Sequence, residues 1–145
     1  MNDILVPVSP GELLDKITIL RIKSRRMQDA GKLANVRREL EALERTCGAA
    51  LGAPLAELSG AAGGLAAEIA ALEQVNASLW DIEDRIREHE AASRFDAGFI
   101  ELARAVYLRN DERAAIKRRI NLALGSALIE EKSYRPYGTG SRPPG

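Results

Sequence analysis

Apolar residues recur every three or four positions along most of this chain, which is the spacing of one face of an α-helix. The first such stretch follows the sequence Ser9-Pro10-Gly11-Glu12. A serine N-cap, a proline at the first helical position and a glutamate at the third form a capping-box pattern. We therefore predict a first helix that begins after Ser9 and runs to about residue 28, preceded by a short extended segment.

Three further stretches carry the same helical spacing. Residues 29–31 form a break, after which a second helix is predicted from its apolar stripe of Leu33, Val36, Leu40, Leu43 and Cys47. Residues 48–64 are rich in alanine and glycine and predict a connector with one short helical turn. A third helix is predicted over residues 65–91 and a fourth over residues 97–132, with Asp96 as the N-cap of the fourth. We favour one continuous fourth helix over a break at Asn110 and Asp111.

These elements predict an all-α fold, a bundle of two antiparallel helical hairpins with a short connector helix. Residues 1–132 form a single domain in this interpretation, since 145 residues leave no room for a second one. Residues 133–145 contain three prolines and no apolar periodicity, which predicts a mobile C-terminal tail. Within that tail, Tyr134 and Tyr137 are the residues able to pack back on the bundle.

The first helix is apolar on more than one face. Leu13, Ile17 and Leu20 share one stripe, whereas Ile19 and Ile22 project from the other side. Two interpretations follow: the helix lies centrally among its neighbours, or its second face meets another protein chain. We expect a homo-oligomer or a protein partner that binds through the Ile19/Ile22 face.

Composition narrows the function classes. Lysine plus arginine equals aspartate plus glutamate at 21 each, so the whole-chain charge offers no attraction to nucleic acid, and we expect no nucleic-acid binding. The longest apolar run near the N-terminus, residues 4–8, is too short for a signal peptide or a membrane span, so we expect a cytoplasmic protein that does not bind membranes. Cys47 and His89 are single residues of their types, which argues against a disulfide framework and histidine-based metal sites.

The third and fourth helices place polar groups within or beside their own apolar stripes, where packing alone would favour leucine or isoleucine. The candidates on the third helix are Asn76, Trp80, Glu83, Asp84 and Arg87. Those on the fourth helix are Arg104, Tyr107, Asn110, Asp111, Arg113, Lys117 and Asn121. Because a buried polar group without a partner is costly, these side chains must be paired, solvated or bound to a ligand.

Folding the hairpin about Arg94 sets the register of these residues. Asn76 comes level with about residue 112 and is within reach of Asn110 or Arg113, whereas Glu83 is within reach of Arg104 or Tyr107. The third helix offers no partner at the level of Lys117. Its counter-charge is therefore expected from the first hairpin, with Glu12 and Asp15 as candidates, from a second subunit, or from a bound anion.

Three explanations of the polar cluster stay open. It could be a satisfied network that fixes helix pairing and register, as a buried asparagine does in coiled coils. It could be an anion or phosphate site built from Arg113 and Lys117. It could also hold a divalent cation through Glu83 and Asp84, but adjacent helical residues point 100° apart, which argues against this arrangement. We expect no metal and no cofactor.

Several strings resemble a family of short bacterial and phage proteins that has no established activity. The strings are VPVSPGELLDKITIL at residues 6–20, LWDIED at 79–84 followed by Arg87, YLRNDERA at 107–114, and EEKSY at 130–134. The resemblance covers most of the chain except the alanine-rich and glycine-rich connector and the residues after Tyr137. It implies no catalytic residue.

Two functions are consistent with these features. We expect a non-catalytic interaction or scaffold module that self-associates or binds a protein partner. The alternative is a protein that binds an anion, a nucleotide or a sugar phosphate, or a small enzyme, using Arg113 and Lys117 with Glu83 and Asp84.

Overall fold

A computed structural model describes residues 2–55, 57 and 64–137 of the chain. Its described part contains four helices and no strand: α1 (Pro10–Arg26), α2 (Ala30–Leu51), α3 (Gly64–Ala91) and α4 (Ala97–Ala123). Short turns join α1 to α2 and α3 to α4, and α1 also packs on α3 and on α4. The predicted all-α bundle is confirmed.

Helix α1 is the central element, because it contacts each of the other three helices. Ile22 is 2% exposed and Ile19 is half-buried within the single chain. The prediction that the Ile19/Ile22 face is free to bind a second chain is therefore wrong for Ile22, whose side chain is already covered. The other interpretation of the two-faced helix, a central position, is confirmed.

The core lies where α1 meets the other helices. Its fully covered members include Leu14, Ile17, Cys47, Leu72, Ile116 and Ile120. Burial shields the Cys47 thiol from solvent and raises its pKa, so the thiol stays protonated. Cys47 is thus a small apolar core residue, as its place in the stripe of α2 predicts.

The α3–α4 hairpin has the register expected from a fold about Arg94. Arg119 Nε and Nη2 donate to the two carboxylate oxygens of Glu68 at 2.8 and 2.9 Å, and the two residues lie nearly equidistant from Arg94 along the chain. At the turn the backbone N–H of Arg94 donates to the His89 carbonyl, and Ser93 has a φ of 50°. This is a Schellman ending in which serine occupies the left-handed position that favours glycine.

Helix α4 is continuous across Asn110 and Asp111 but ends at Ala123, so the predicted end at residue 132 is wrong. The N–H groups of Gly125 and Ser126 donate to the carbonyls of Leu122 and Asn121, and Gly125 has a φ of 64°. These two bonds close a second Schellman motif that reverses the chain. The following residues, 126–137, which we term the C-terminal segment, run back along α4.

Other boundaries are only partly covered by the described residues. The predicted connector helix falls partly on residues 56 and 58–63, which lie outside them, whereas Leu55 is buried in the core. Of the predicted tail, residues 133–137 lie beside α4 and residues 138–145 fall outside the described residues. None of the helices in the described ranges is both long enough and apolar enough to cross a membrane.

Candidate functional site

A buried carboxylate, Asp15, joins three helices. Arg113 of α4 donates from Nε and Nη2 to the two Asp15 oxygens at 2.9 and 2.6 Å. Asn76 of α3 donates from Nδ2 to Asp15 Oδ1 at 2.9 Å and to Thr18 Oγ1 at 3.0 Å. Asp15 is 1% exposed, so these bonds replace the water that the carboxylate loses. The sequence predicts a direct contact of Asn76 with Asn110 or Arg113; the structure instead brings Asn76 and Arg113 to the same carboxylate, Asp15.

The Lys117 ammonium bridges two carboxylates from different parts of the chain. Its Nζ donates to Glu12 Oε2 at 2.6 Å and to Glu130 Oε2 at 2.9 Å. Burial lowers the pKa of Lys117, but the two carboxylate bonds outweigh it and the pKa is raised. Of the two candidates that the first hairpin offers to Lys117, Glu12 is confirmed, whereas Asp15 pairs with Arg113 instead. The second partner of Lys117, Glu130, was not predicted.

Asn121 ties α4 to the first turn of α1. Its Oδ1 accepts the backbone N–H of Gly11 at 2.7 Å, and its side chain is fully buried. A Cβ atom on Gly11 would lie 2.6 Å from the Lys117 carbonyl oxygen and 2.8 Å from Asn121 Oδ1. Glycine is therefore required for the close approach of α1 and α4, a role that sequence reasoning missed. The signal was a glycine in the first turn of a helix, where better helix formers are usual.

Most of the polar candidates on α3 lie outside this network. Glu83 is half-exposed and pairs with Arg87 one turn along its own helix, at 3.7 Å. The prediction that Glu83 meets Arg104 or Tyr107 is therefore wrong. Asn76 of α3 and Arg113 of α4 instead meet on Asp15 of α1, which packs against both helices, whereas Glu83 lies outside this contact. Asp84 and Arg104 are exposed.

Trp80 is half-buried and lies beside Arg26 at the end of α1. The Arg26 guanidinium carbon lies 6.0 Å from the centre of the Trp80 ring, and Arg26 also bonds Asp81. Two more arginines of α1 form ion pairs with glutamates of neighbouring helices: Arg21 with Glu44 of α2 and Arg25 with Glu73 of α3. These three arginines of α1 thus bind α2 and α3.

A cleft of about 590 Å³ opens where α1, α4 and the C-terminal segment meet, and we term it the tyrosine cleft. Helix α4 lines it with Val106, Tyr107, Asn110, Asp111, Arg113, Ala114 and Lys117. The C-terminal segment adds Glu130, Lys132, Tyr134 and Tyr137, and α1 adds Glu12. Five predicted candidates therefore share one cleft, and Tyr137 packs back on the bundle beside Tyr107 as its sequence position allows. The contribution of Glu130 and Lys132 was missed because α4 was predicted to continue.

Three tyrosines with exposed surface give the cleft its aromatic character. The rings of Tyr107 and Tyr137 lie 4.7 Å apart between centroids at an angle of 55°. The Tyr137 hydroxyl donates to Asp111, a bond that raises the pKa of Tyr137. Tyr134 is 76% exposed, and the Lys132 ammonium lies 5.8 Å from the centre of its ring. The cleft thus combines aromatic faces with charged and amide groups.

Glu130 links the two lysines of the cleft. Its hydrogen bonds with Lys132 and then Lys117 lower its pKa from 4.5 to about 2. The Glu130 carboxylate therefore stays ionised across the physiological pH range. Lys117 holds the C-terminal segment against α4 through Glu130, whereas the bond between Lys132 and Glu130 lies within the segment itself.

The residue types most often used as nucleophile or general base lie elsewhere. Cys47 is buried in the core, and His89 sits at the α3–α4 turn with its Nδ1 2.9 Å from the Arg85 carbonyl oxygen. Within residues 2–55, 57 and 64–137, no three histidine, cysteine, aspartate or glutamate side chains come together in an arrangement that could hold a metal ion.

Comparisons of the chain with protein-family models, with curated proteins and with solved structures found no match.

Proposed function

We propose that this protein is a non-catalytic binding module and that the tyrosine cleft is its ligand site. The observation that carries the proposal is the convergence of α1, α4 and the C-terminal segment on one cleft of about 590 Å³. Ligand sites are usually concave, of this size, and lined by aromatic residues with a few convergent polar groups. The exposed tyrosines supply the aromatic residues of such a site, and their hydroxyls and the Asn110 amide supply polar groups.

The titration behaviour of the cleft favours binding over proton transfer. The pKa of Glu130 is lowered to about 2, whereas the pKa values of Lys117 and Tyr137 are raised above their ordinary values. General acid–base catalysts work best when their pKa lies near the operating pH. The pKa values of all three groups are moved away from neutral pH. Glu130 and Lys117 therefore act as fixed charges, and Tyr137 acts as a fixed hydrogen-bond donor.

The sequence resemblance supports the same location. Three of the four strings that carry it, at residues 6–20, 107–114 and 130–134, contribute lining residues to the cleft. These strings are far apart along the chain. A shared ligand site gives a physical reason for distant strings to occur together.

The anion-binding alternative loses its main premise, namely that Arg113 and Lys117 lack counter-charges within the chain. Arg113 holds Asp15 through two bonds, and Lys117 holds Glu12 and Glu130. A phosphate would have to displace these carboxylates. The alternative also needs Glu83, which lies seven residues along α3 from the level of Asn76, roughly 10 Å at 1.5 Å per residue.

A thermal-shift screen with small molecules of three charge classes tests the proposal. We expect at least one class to raise the melting temperature of the wild type, because a ligand that binds only the folded state stabilises it. Tyr134→Ala should abolish that rise without unfolding the protein, since Tyr134 is largely exposed. Ile100→Ala is the matched control, because Ile100 is an exposed apolar residue of α4 that does not line the cleft.

Two results would contradict the proposal. One is a stabilising ligand whose effect is the same in wild type, Tyr134→Ala and Ile100→Ala, which would place the site elsewhere. The other is chemical turnover of a bound ligand, which would make the protein an enzyme.

A further inference from the structure

We propose that the group bound in the tyrosine cleft is an organic cation, either an ammonium or a guanidinium. This inference rests on the proposed function and names the chemical class of its ligand. Three features favour this class: the charges that surround the cleft, the aromatic faces that line it, and the Lys132 ammonium that already lies beside one of its tyrosine rings.

The fixed charges at the cleft favour a cation. Four carboxylates lie in or directly behind it: Glu12, Asp15, Asp111 and Glu130. Three cations face them: Arg113, Lys117 and Lys132. An incoming positive group therefore completes the balance, whereas an anion would add to an existing excess of negative charge.

Asp111 is the carboxylate with which an incoming cation would pair. Among the described residues its hydrogen-bond partner is the neutral Tyr137 hydroxyl, bound to Oδ2. The other three carboxylates are each bonded to a lysine or an arginine. Asp111 lies on the exposed face of α4 beside Tyr107, so a ligand can reach it from solvent.

The aromatic lining suits the same class of ligand. The faces of tyrosine rings attract cations through their quadrupole, and aromatic surfaces with a nearby carboxylate bind ammonium groups. Lys132 already shows this chemistry within the chain: its Nζ lies 5.8 Å from the Tyr134 ring centre and 2.9 Å from Glu130 Oε1. Tyr107 and Tyr137 offer the equivalent surroundings next to Asp111.

Small probes that share a short alkyl chain but differ in charge test the inference. n-Butylammonium, n-butylguanidinium, n-butanol and n-butyrate are titrated into the full-length protein and followed by calorimetry and by amide NMR shifts. We expect the two cations to bind at least about tenfold more tightly than butanol, because a hydrogen bond to a charged group is stronger than a neutral one. Butyrate should bind most weakly.

The variant Asp111→Asn removes the charge but keeps a side-chain oxygen that can accept the Tyr137 hydroxyl. We expect it to weaken cation binding at least about tenfold, since the charged partner is lost. Glu101→Gln is the matched control, because Glu101 is an exposed carboxylate of α4 that does not line the cleft, and it should leave the affinity unchanged within about twofold.

Peptides distinguish the source of the cation. The tripeptides Gly-Lys-Gly and Gly-Arg-Gly, blocked at both ends, are compared with Gly-Gln-Gly and with the free amine spermidine. Tighter binding of the Lys or Arg peptide than of spermidine would identify a protein partner, and the reverse order would identify a free amine. Both orders support the cation class.

Three outcomes overturn the inference: equal binding of butanol or butyrate, an unchanged affinity in Asp111→Asn, or amide shifts confined to residues outside the cleft. If a neutral or anionic molecule instead binds and Tyr134→Ala abolishes it, the cation class fails while the tyrosine cleft stands as the ligand site. If no class of molecule binds at the cleft, the proposed function fails as well.

Discussion

Asp15 depends on partners from other helices, because the fold removes its carboxylate from water. Replacing Arg113 by methionine leaves that charge buried without its main partner. We expect Arg113→Met to lower the free energy of unfolding by about 3–5 kcal/mol, as is usual when one member of a buried ion pair is removed. Urea unfolding followed by circular dichroism measures this loss.

Two further variants are measured beside Arg113→Met. Arg87→Met is the control, because Arg87 is exposed and pairs with Glu83 at 3.7 Å, so it should change stability by less than about 0.5 kcal/mol. Asp15→Leu combined with Arg113→Met should recover much of the loss, since no buried charge is then left unpaired. A single Arg113→Met variant as stable as the wild type would show that Asp15 does not need its partner.

Ser93 is a residue-scale source of strain. It has a φ of 50° at the end of α3, a conformation that costs a non-glycine residue about 1 kcal/mol. We expect Ser93→Gly to raise the melting temperature and Gly125→Ala, at a φ of 64°, to lower it by a similar energy. Differential scanning calorimetry of the two variants tests the pair, and a destabilised Ser93→Gly protein would contradict the assignment.

At the scale of elements, the C-terminal segment is held to α4 by charge. The ionised form of Glu130 is favoured in the folded state, where its pKa is about 2 rather than 4.5. The stabilisation is therefore complete above about pH 4.5 and is lost as the pH falls toward 2. Because the Glu130 side chain is partly exposed, its contribution is about 1 kcal/mol at most.

The expected consequence is release of the segment before the helices unfold. Amide hydrogen exchange and the Tyr137 ring resonances should report this release between pH 4.5 and 2, while helical circular dichroism is retained. Glu130→Gln should show a loosened segment already at neutral pH and little further change on acidification. A segment that stays ordered at pH 2 in the wild type would disprove the role of Glu130.

The elements differ in how much of their arrangement the sequence predicts. The register of α3 against α4 follows from the short turn at Arg94. The lack of a partner for Lys117 on α3 predicts a counter-charge from elsewhere, with Glu12 as one of several candidates. The end of α4 was missed, although the sequence Gly125-Ser126 is a typical helix stop, because the apolar residue Leu128 extends the pattern beyond it. Helical periodicity gives the direction in which a side chain points from the axis of its helix. It does not give which neighbouring helix packs against that side. The positions of Glu83 and Trp80 could not be predicted for that reason.

At the scale of the whole molecule, Ile22 is buried within the single chain, so a substitution there is expected to change folding rather than association between chains. Ile22→Glu would place a charge in the covered interior, and we expect it to lower the free energy of unfolding by at least about 3 kcal/mol at every protein concentration. Ile100→Glu is the control at an exposed site. Light scattering and urea unfolding over a range of concentrations check this. A folded Ile22→Glu monomer derived from an oligomeric wild type would show instead that Ile22 lies at an interface between chains.

The central claim about this protein is that its ligand site lies in the tyrosine cleft. The decisive measurement is the map of amide chemical-shift changes when the most stabilising molecule of the thermal-shift screen is added to the isotopically labelled wild type. We predict shifts concentrated at residues 106–117 of α4 and at residues 130–137, with residues 83–89 of α3 unchanged. Shifts centred on residues 83–89, or scattered over the surface without a focus at the tyrosine cleft, would contradict it.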